Sequence, residues 1–241
     1  MRPVHTVEEW KQAKVDSSYG LKPGFYNRPL HWAIRLPAAT PNGVPIDLEN
    51  ADDNPEASQI LIHKTAEWPR VMSDGIEEAP PGNAPNDIHE MRKDLEAVIR
   101  GEDTLAFPAY MDAHVSFSCL KQRIDFDGGH GVRMITQWMS GSDLMRKGSL
   151  HYLFSGMSDD DTCQIIATFP IDLPGLPDLE YEPASKHLGR SLKENTDWLD
   201  NDFEAYEREA VAWLIQHQAE IEPRLQTLDD MLRSLVVRRW E

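Results

Sequence analysis

The chain reads as an α+β protein, an antiparallel sheet packed with helices, and three observations predict this. Segments 113–126, 132–139, 150–156 and 163–169 alternate apolar and polar side chains with period two, and short polar turns join them. Stripes of period 3.6 flank that block, one at 87–99 and two more beyond residue 196. Strands and helices are therefore segregated along the chain, which favours helices stacked on an antiparallel sheet over a parallel, doubly wound one.

Taken in order, "HTVEEWKQAK" sets Thr6 three residues before Glu9, the capping-box spacing of a short helix. Residues 1–24 are expected to form that helix and a linker, and residues 25–237 a single α+β domain. "LHWAIRLP" is a strand candidate stopped by Pro37, and "QILIHKTAEW" at 59–68 is a second. Residues 38–58 and 73–86 carry turn residues and acid without apolar periodicity, so both read as solvated loops. Asn86 or Asp87 then caps a helix in which Ile88, Met91, Leu95, Val98 and Ile99 share one face.

In the strand block, Val115, Phe117 and Cys119 alternate with polar neighbours, and Ile124 and Phe126 lead to "DGG". Val132, Met134, Thr136 and Trp138 then alternate with Arg133, Ile135, Gln137 and Met139. "LHYLFSGM" and "TCQIIATFP" make a hairpin about the polar tip "SDDD". The C-terminal third carries Trp198, Leu199, Phe203, Tyr206, Trp213 and Leu214 as one apolar stripe. After Pro223 comes a second, built from Leu225, Leu228, Met231, Leu232 and Leu235.

With 241 residues the chain can bury a sizeable core. Its 41 acidic against 24 basic residues give a formal charge of −17, which repels phosphate backbones and anionic lipid. Nucleic acid is thus not an expected partner; a protein or a small-molecule ligand is. No window approaches eighteen apolar residues, so no transmembrane segment is expected. The N-terminus lacks the apolar core of a signal peptide. The expected location is cytoplasmic if that N-terminus is native, and periplasmic or extracellular if a leader was removed.

Two cysteines, Cys119 and Cys163, are too few for a disulfide framework. Their alternation with apolar residues reads as core thiols, with a cross-strand disulfide as the alternative. Nine histidines include no closely spaced pair, and "DLENADDNPE" lacks the spacing of a calcium loop. No metal or other cofactor is expected. "FSGMS" and "SGS" are not the nucleophile elbow of a hydrolase.

The most pointed passage is "FDGGHGVRMITQW", residues 126–138. A phosphate-binding glycine loop sits between a strand and a helix, so that helical N–H groups face the anion. Here the glycines are followed by period-two alternation, so "DGG" reads as a hairpin turn. Arg133 is the most consequential charge of the strand. It either pairs with a carboxylate or joins Gln137 and Tyr152 in a pocket for an anionic or amide-bearing ligand. His130 and His151 come from the same region, which makes His130, Arg133, Gln137, His151 and Tyr152 the candidate ligand-binding residues. No catalytic residue is assigned.

The run from Gly129 to Pro177 resembles a domain of bacterial secreted lipoproteins of unassigned function, with the pattern GxGVRxLTQY … FQGLTxDG … LPxxxPxLP. The matched residues are Gly129, Gly131, Val132, Arg133, Thr136, Gln137, Tyr152, Phe154, Gly156, Pro170, Leu176 and Pro177, while Trp138 stands where that family has tyrosine. The closing "IEPRLQTLDDMLRSLVV" is also similar, and the resemblance extends over residues 25–237. It implies a PsbP-like α/β/α sandwich and a non-catalytic binding or interaction module. It transfers no catalytic residue, and the lipobox cysteine of a lipoprotein is absent from this sequence. Two alternatives are an enzyme with a dispersed site around Arg133, His130 and His151, and an acidic inhibitor or immunity protein.

Overall fold

Period-two alternation produces strands along almost the whole predicted block. The structure, a computed structural model, describes residues 31–36, 58–67, 88–102, 114–139, 144–176, 186–187, 190–191 and 197–238. The expected N-terminal helix, the loop at 73–86 and all but the last residue of the loop at 38–58 lie outside those residues. The strands are β1 (His31–Arg35), β2 (Gln59–Lys64), β3 (His114–Phe126), β4 (Gly129–Met139), β5 (Leu150–Ser158) and β6 (Cys163–Ile171). They form one sheet in the order β1-β2-β6-β5-β4-β3, antiparallel at every junction. A separate two-stranded ladder joins β7 (Lys186–His187) to β8 (Arg190–Ser191).

Helices cover both faces, as the period-3.6 stripes require. On one side α1 (Ile88–Ile99) seats Met91, Leu95 and Val98 on Val132, Met134, Leu153, Met157 and Ile166. On the other lie α2 (Asp197–Gln216) and α3 (Leu225–Arg233). Tyr206, Ala210, Leu214, Leu228 and Leu232 are buried there with Ile135, Tyr152, Phe154 and Phe169. Strands β5 and β6 are buried along nearly their whole length because they lie between two helical layers. The architecture is α+β: among the described residues, an antiparallel sheet with one α-helix inserted in the chain between β2 and β3 and two after β6.

The strand expected at 132–139 begins three residues earlier, at Gly129, and the reason is steric. Only Asp127 and Gly128 lie between the paired residues Phe126 and Gly129. A Cβ on Gly129 would strike the Phe126 ring, and one on Gly131 or Gly156 would strike the Phe154 ring. Gly131 and Gly156 face each other across β4 and β5. These glycines therefore belong to the sheet, where their bare backbone leaves room for two aromatic rings that meet edge-on at 6.3 Å.

Gly128 has its own cause. It takes φ +94°, and a Cβ on it would run into the carbonyl oxygen of Val237. The chain after α3 crosses this turn as a short strap. Asp127 donates its N–H to the Leu235 carbonyl at 3.2 Å and accepts from the Val237 N–H at 2.9 Å. Arg238 closes the contact on the Asp127 carboxylate at 3.0 Å. The glycine-rich passage is thus a hairpin turn clamped by the C-terminal segment.

Candidate functional site

Arg133 lies on the face of β4 that meets α3, and its side chain is 9% exposed. Its Nε is 3.4 Å from Oδ1 of Asp229, Nη2 donates to Oε1 of Gln122 at 2.8 Å, and Nη1 donates to the Leu120 carbonyl. Tyr152, from the neighbouring β5, donates its hydroxyl to the same Oδ1 of Asp229 at 2.8 Å. Burial, together with the Asp229 charge, pushes the Tyr152 hydroxyl well above its ordinary range, so it remains a neutral donor. The arrangement is a buried ion pair in which Nη1 and Nη2 are hydrogen-bonded, Nε faces Asp229 without hydrogen-bond geometry, and Arg233 stands 4.0 Å from the other Asp229 oxygen. Its chemistry is docking, since it fixes α3 on the sheet.

Gln137 shares that face and is buried. Its Nε2 lies 3.4 Å from the Leu144 carbonyl and its Oε1 3.5 Å from the Ser149 hydroxyl, so it ties the start of β5 to its approach segment. Arg133, Tyr152 and Gln137 are therefore on one side of the sheet, and the first two meet through Asp229.

His130 and His151 point to the opposite face, the side on which α1 packs, and lie far apart; only His130 meets side chains of that helix among the described contacts. His130 pairs with Met157 and His151 with Thr136, so they sit near opposite ends of β4 and β5. The sheet itself separates both from Arg133. His130 Nε2 is 2.7 Å from Oε1 of Glu96, its Nδ1 is 3.7 Å from Asp159, and Arg92 Nη1 is 3.4 Å from the ring. The hydrogen bond from His130 holds the Glu96 carboxyl below its ordinary value against partial burial. Arg92 in turn grips the β5–β6 turn, through Nε to Asp161 at 2.8 Å and Nη2 to the Ser158 carbonyl at 2.5 Å.

His151 is different. It is 3% exposed, and its ring stacks on Trp138 with centroids 4.5 Å apart. Among the described residues neither ring nitrogen meets regular hydrogen-bond geometry, the Ser149 backbone being in reach of the ring only weakly. Burial pulls its pKa down from 6.5 to about 4, the nearby backbone of Ser149 offsetting part of the effect, so the ring is neutral at pH 7. Its register partners are Thr136 on β4 and Pro170 on β6, and the buried polar pair Thr168 and Gln59 lies one step along the same face, in the row of Leu153. A neutral imidazole offers one donor and one acceptor, so this patch is able to recognise an uncharged polar group.

Both cysteines are free and buried, which rules out the cross-strand disulfide considered from the sequence. Burial pushes the Cys119 thiol up to about 12, which suppresses the thiolate a nucleophile needs. Among the described residues, no group of three His, Cys, Asp or Glu side chains is placed to share a metal ion, and no helix is long and apolar enough to cross a membrane.

Asp229 was not a candidate from the sequence, yet the signal is there. In α3 it falls on the stripe of Leu225, Leu228 and Leu232, at spacings of three and four residues, where an acid is out of place unless a buried cation meets it. The partners of His130 carry no comparable signal, because Arg92 and Glu96 sit at ordinary polar positions of α1. Comparison of the chain with family models, curated proteins and solved structures returns no match.

Proposed function

We propose that this chain is a non-catalytic binding module, and that its ligand meets the sheet at His151. The observation that carries the reading is a pair of ring nitrogens that, among the described residues, lack regular hydrogen-bond geometry, on a residue that is 3% exposed and has only the Ser149 backbone in weak reach. Leaving such groups unsatisfied costs about 1–3 kcal/mol each, a cost that a bound ligand offering both a donor and an acceptor would offset. The resemblance to the lipoprotein domain supports the same reading, and so does the architectural use of Arg133 and Tyr152. The enzyme alternative needs Arg133, His130 and His151 to converge, and their placement on opposite faces and at opposite ends of the strands gives it no support. The acidic surface remains compatible with a basic protein partner.

The test is nitrogen-15 NMR of the histidine rings while a small-molecule extract of cells is added in fractions. A saturable change at the His151 nitrogens is expected from some fraction, with the His130 signals unmoved. If no fraction shifts His151, or if its nitrogens already show the signature of tight hydrogen bonds in purified protein, the reading fails.

A further inference from the structure

We infer that Trp138 is the positioning residue of the His151 contact and the cover over it, so that a ligand reaches the imidazole by way of the indole. The inference rests on the reading of His151 as the ligand contact, but its test uses no ligand, so the two fail separately. Parity along the strands puts the two rings together. Residues 136 and 138 of β4 point to one face, and His151 stands opposite Thr136, so Trp138 is its diagonal neighbour across the β4–β5 pair. Diagonal positions lie about 7–8 Å apart at the backbone, within reach of an aromatic side chain. The indole leans back over that gap until the ring centroids are 4.5 Å apart, with the planes tilted by 36°.

Burial gives the two rings different roles. The imidazole is almost fully enclosed, whereas Trp138 is half-buried and packs against the cluster that seats α1 on the sheet. In this pair the indole is the ring that solvent meets. The backbone lets it move. The β4–β5 ladder ends at the pair Gln137–Leu150, so Trp138 has no register partner on β5. On β3 its partner is Val115, and the register shifts between that residue and Ser118. A residue held by one neighbouring strand at the ragged end of a ladder opens more readily than the central rows.

Thr136 has the opposite setting. It is paired on both sides, with Ser118 and His151, and its hydroxyl donates to the Phe117 carbonyl at 2.7 Å. The contact therefore combines a fixed floor with a wall that swings. An indole beside a neutral imidazole suits an uncharged molecule that carries a polar group next to an apolar one.

Acylation of histidines by diethyl pyrocarbonate at pH 7, mapped peptide by peptide, measures access to the imidazole nitrogens. In wild type His151 is expected to react slowly, at a rate independent of urea below the unfolding transition, because swinging one side chain exposes little new surface. Trp138→Ala should speed that reaction about fivefold, the factor to which an aromatic pair of ordinary strength converts. Trp138→Phe keeps a ring over the imidazole and should restore most of the protection. His217, stacked on a different tryptophan, Trp213, at 4.6 Å, is the internal reference and should react alike in all three proteins. A His151 rate that climbs with urea alongside global unfolding would overturn the inference, as would equal rates in wild type and Trp138→Ala. The urea series decides the matter even if Trp138→Ala does not fold.

Discussion

Tyr152 on β5 and Arg133 on β4 share one oxygen: Oδ1 of Asp229 receives the tyrosine hydroxyl at 2.8 Å and lies 3.4 Å from the arginine Nε. The sheet is thereby joined to α3 through a carboxylate that is almost fully buried.

Arg133→Ala leaves that carboxylate with only the more exposed Arg233, at 4.0 Å, as a cation, and a loss of roughly 3 kcal/mol is expected from urea unfolding. Arg133→Lys should recover part of it, since an ammonium cannot reproduce the guanidinium fork to Gln122 and Leu120. The double change Arg133→Met with Asp229→Leu should recover most of it, because it removes both charges together. A midpoint near wild type for Arg133→Ala would show that the pair contributes nothing to docking.

His151 makes stability depend on pH. Its folded pKa is depressed to about 4 from 6.5, so its contribution is present above pH 6.5 and is lost as pH falls through about 4. The loss between those limits is on the order of 3 kcal/mol. His151→Phe should remove this dependence, seen as a stability gap, wild type minus variant, that falls by about 3 kcal/mol from pH 7 to pH 4. An unchanged gap would mean that the ring is solvated or hydrogen-bonded.

Gly128→Ala places a methyl group at φ +94° against the Val237 carbonyl. A loss of about 1–3 kcal/mol is expected, together with faster exchange of the Val237 amide as the strap lifts. Gly101→Ala is the control, because its φ is also positive, at +84°, but nothing lies near its Cβ. It should cost less and leave Val237 unaffected.

Cys119, with its thiol pushed up to about 12, should resist alkylation at pH 8 in the folded protein and react once urea unfolds it. Rapid modification of the native thiol would place it outside the core.

The sheet was legible because each of its four long strands alternates over seven or more residues, and the helices because their stripes repeat at 3.6. Two things were not. The glycines at 129 and 131 looked like turn material, since only the fold shows which rings lie over them. Of the five residues singled out as ligand contacts, Arg133, Gln137 and Tyr152 face one helical layer and His130 and His151 the other. Period-two parity separates 133 from 130 at once, but nothing local reveals that both faces are covered. Arg133 on the strand pointed to a carboxylate partner, and the acid in the stripe of α3 was the readable clue to which carboxylate it is.

Native mass spectrometry of the protein equilibrated with a small-molecule extract of cells tests the central claim, that His151 binds while Arg133 builds. Wild type and the Arg133→Met, Asp229→Leu variant are expected to retain the same small-molecule adduct, and His151→Phe to lose it while its charge-state distribution shows it folded. An adduct that survives in His151→Phe but disappears in the double variant would contradict the account and move the binding site to the arginine.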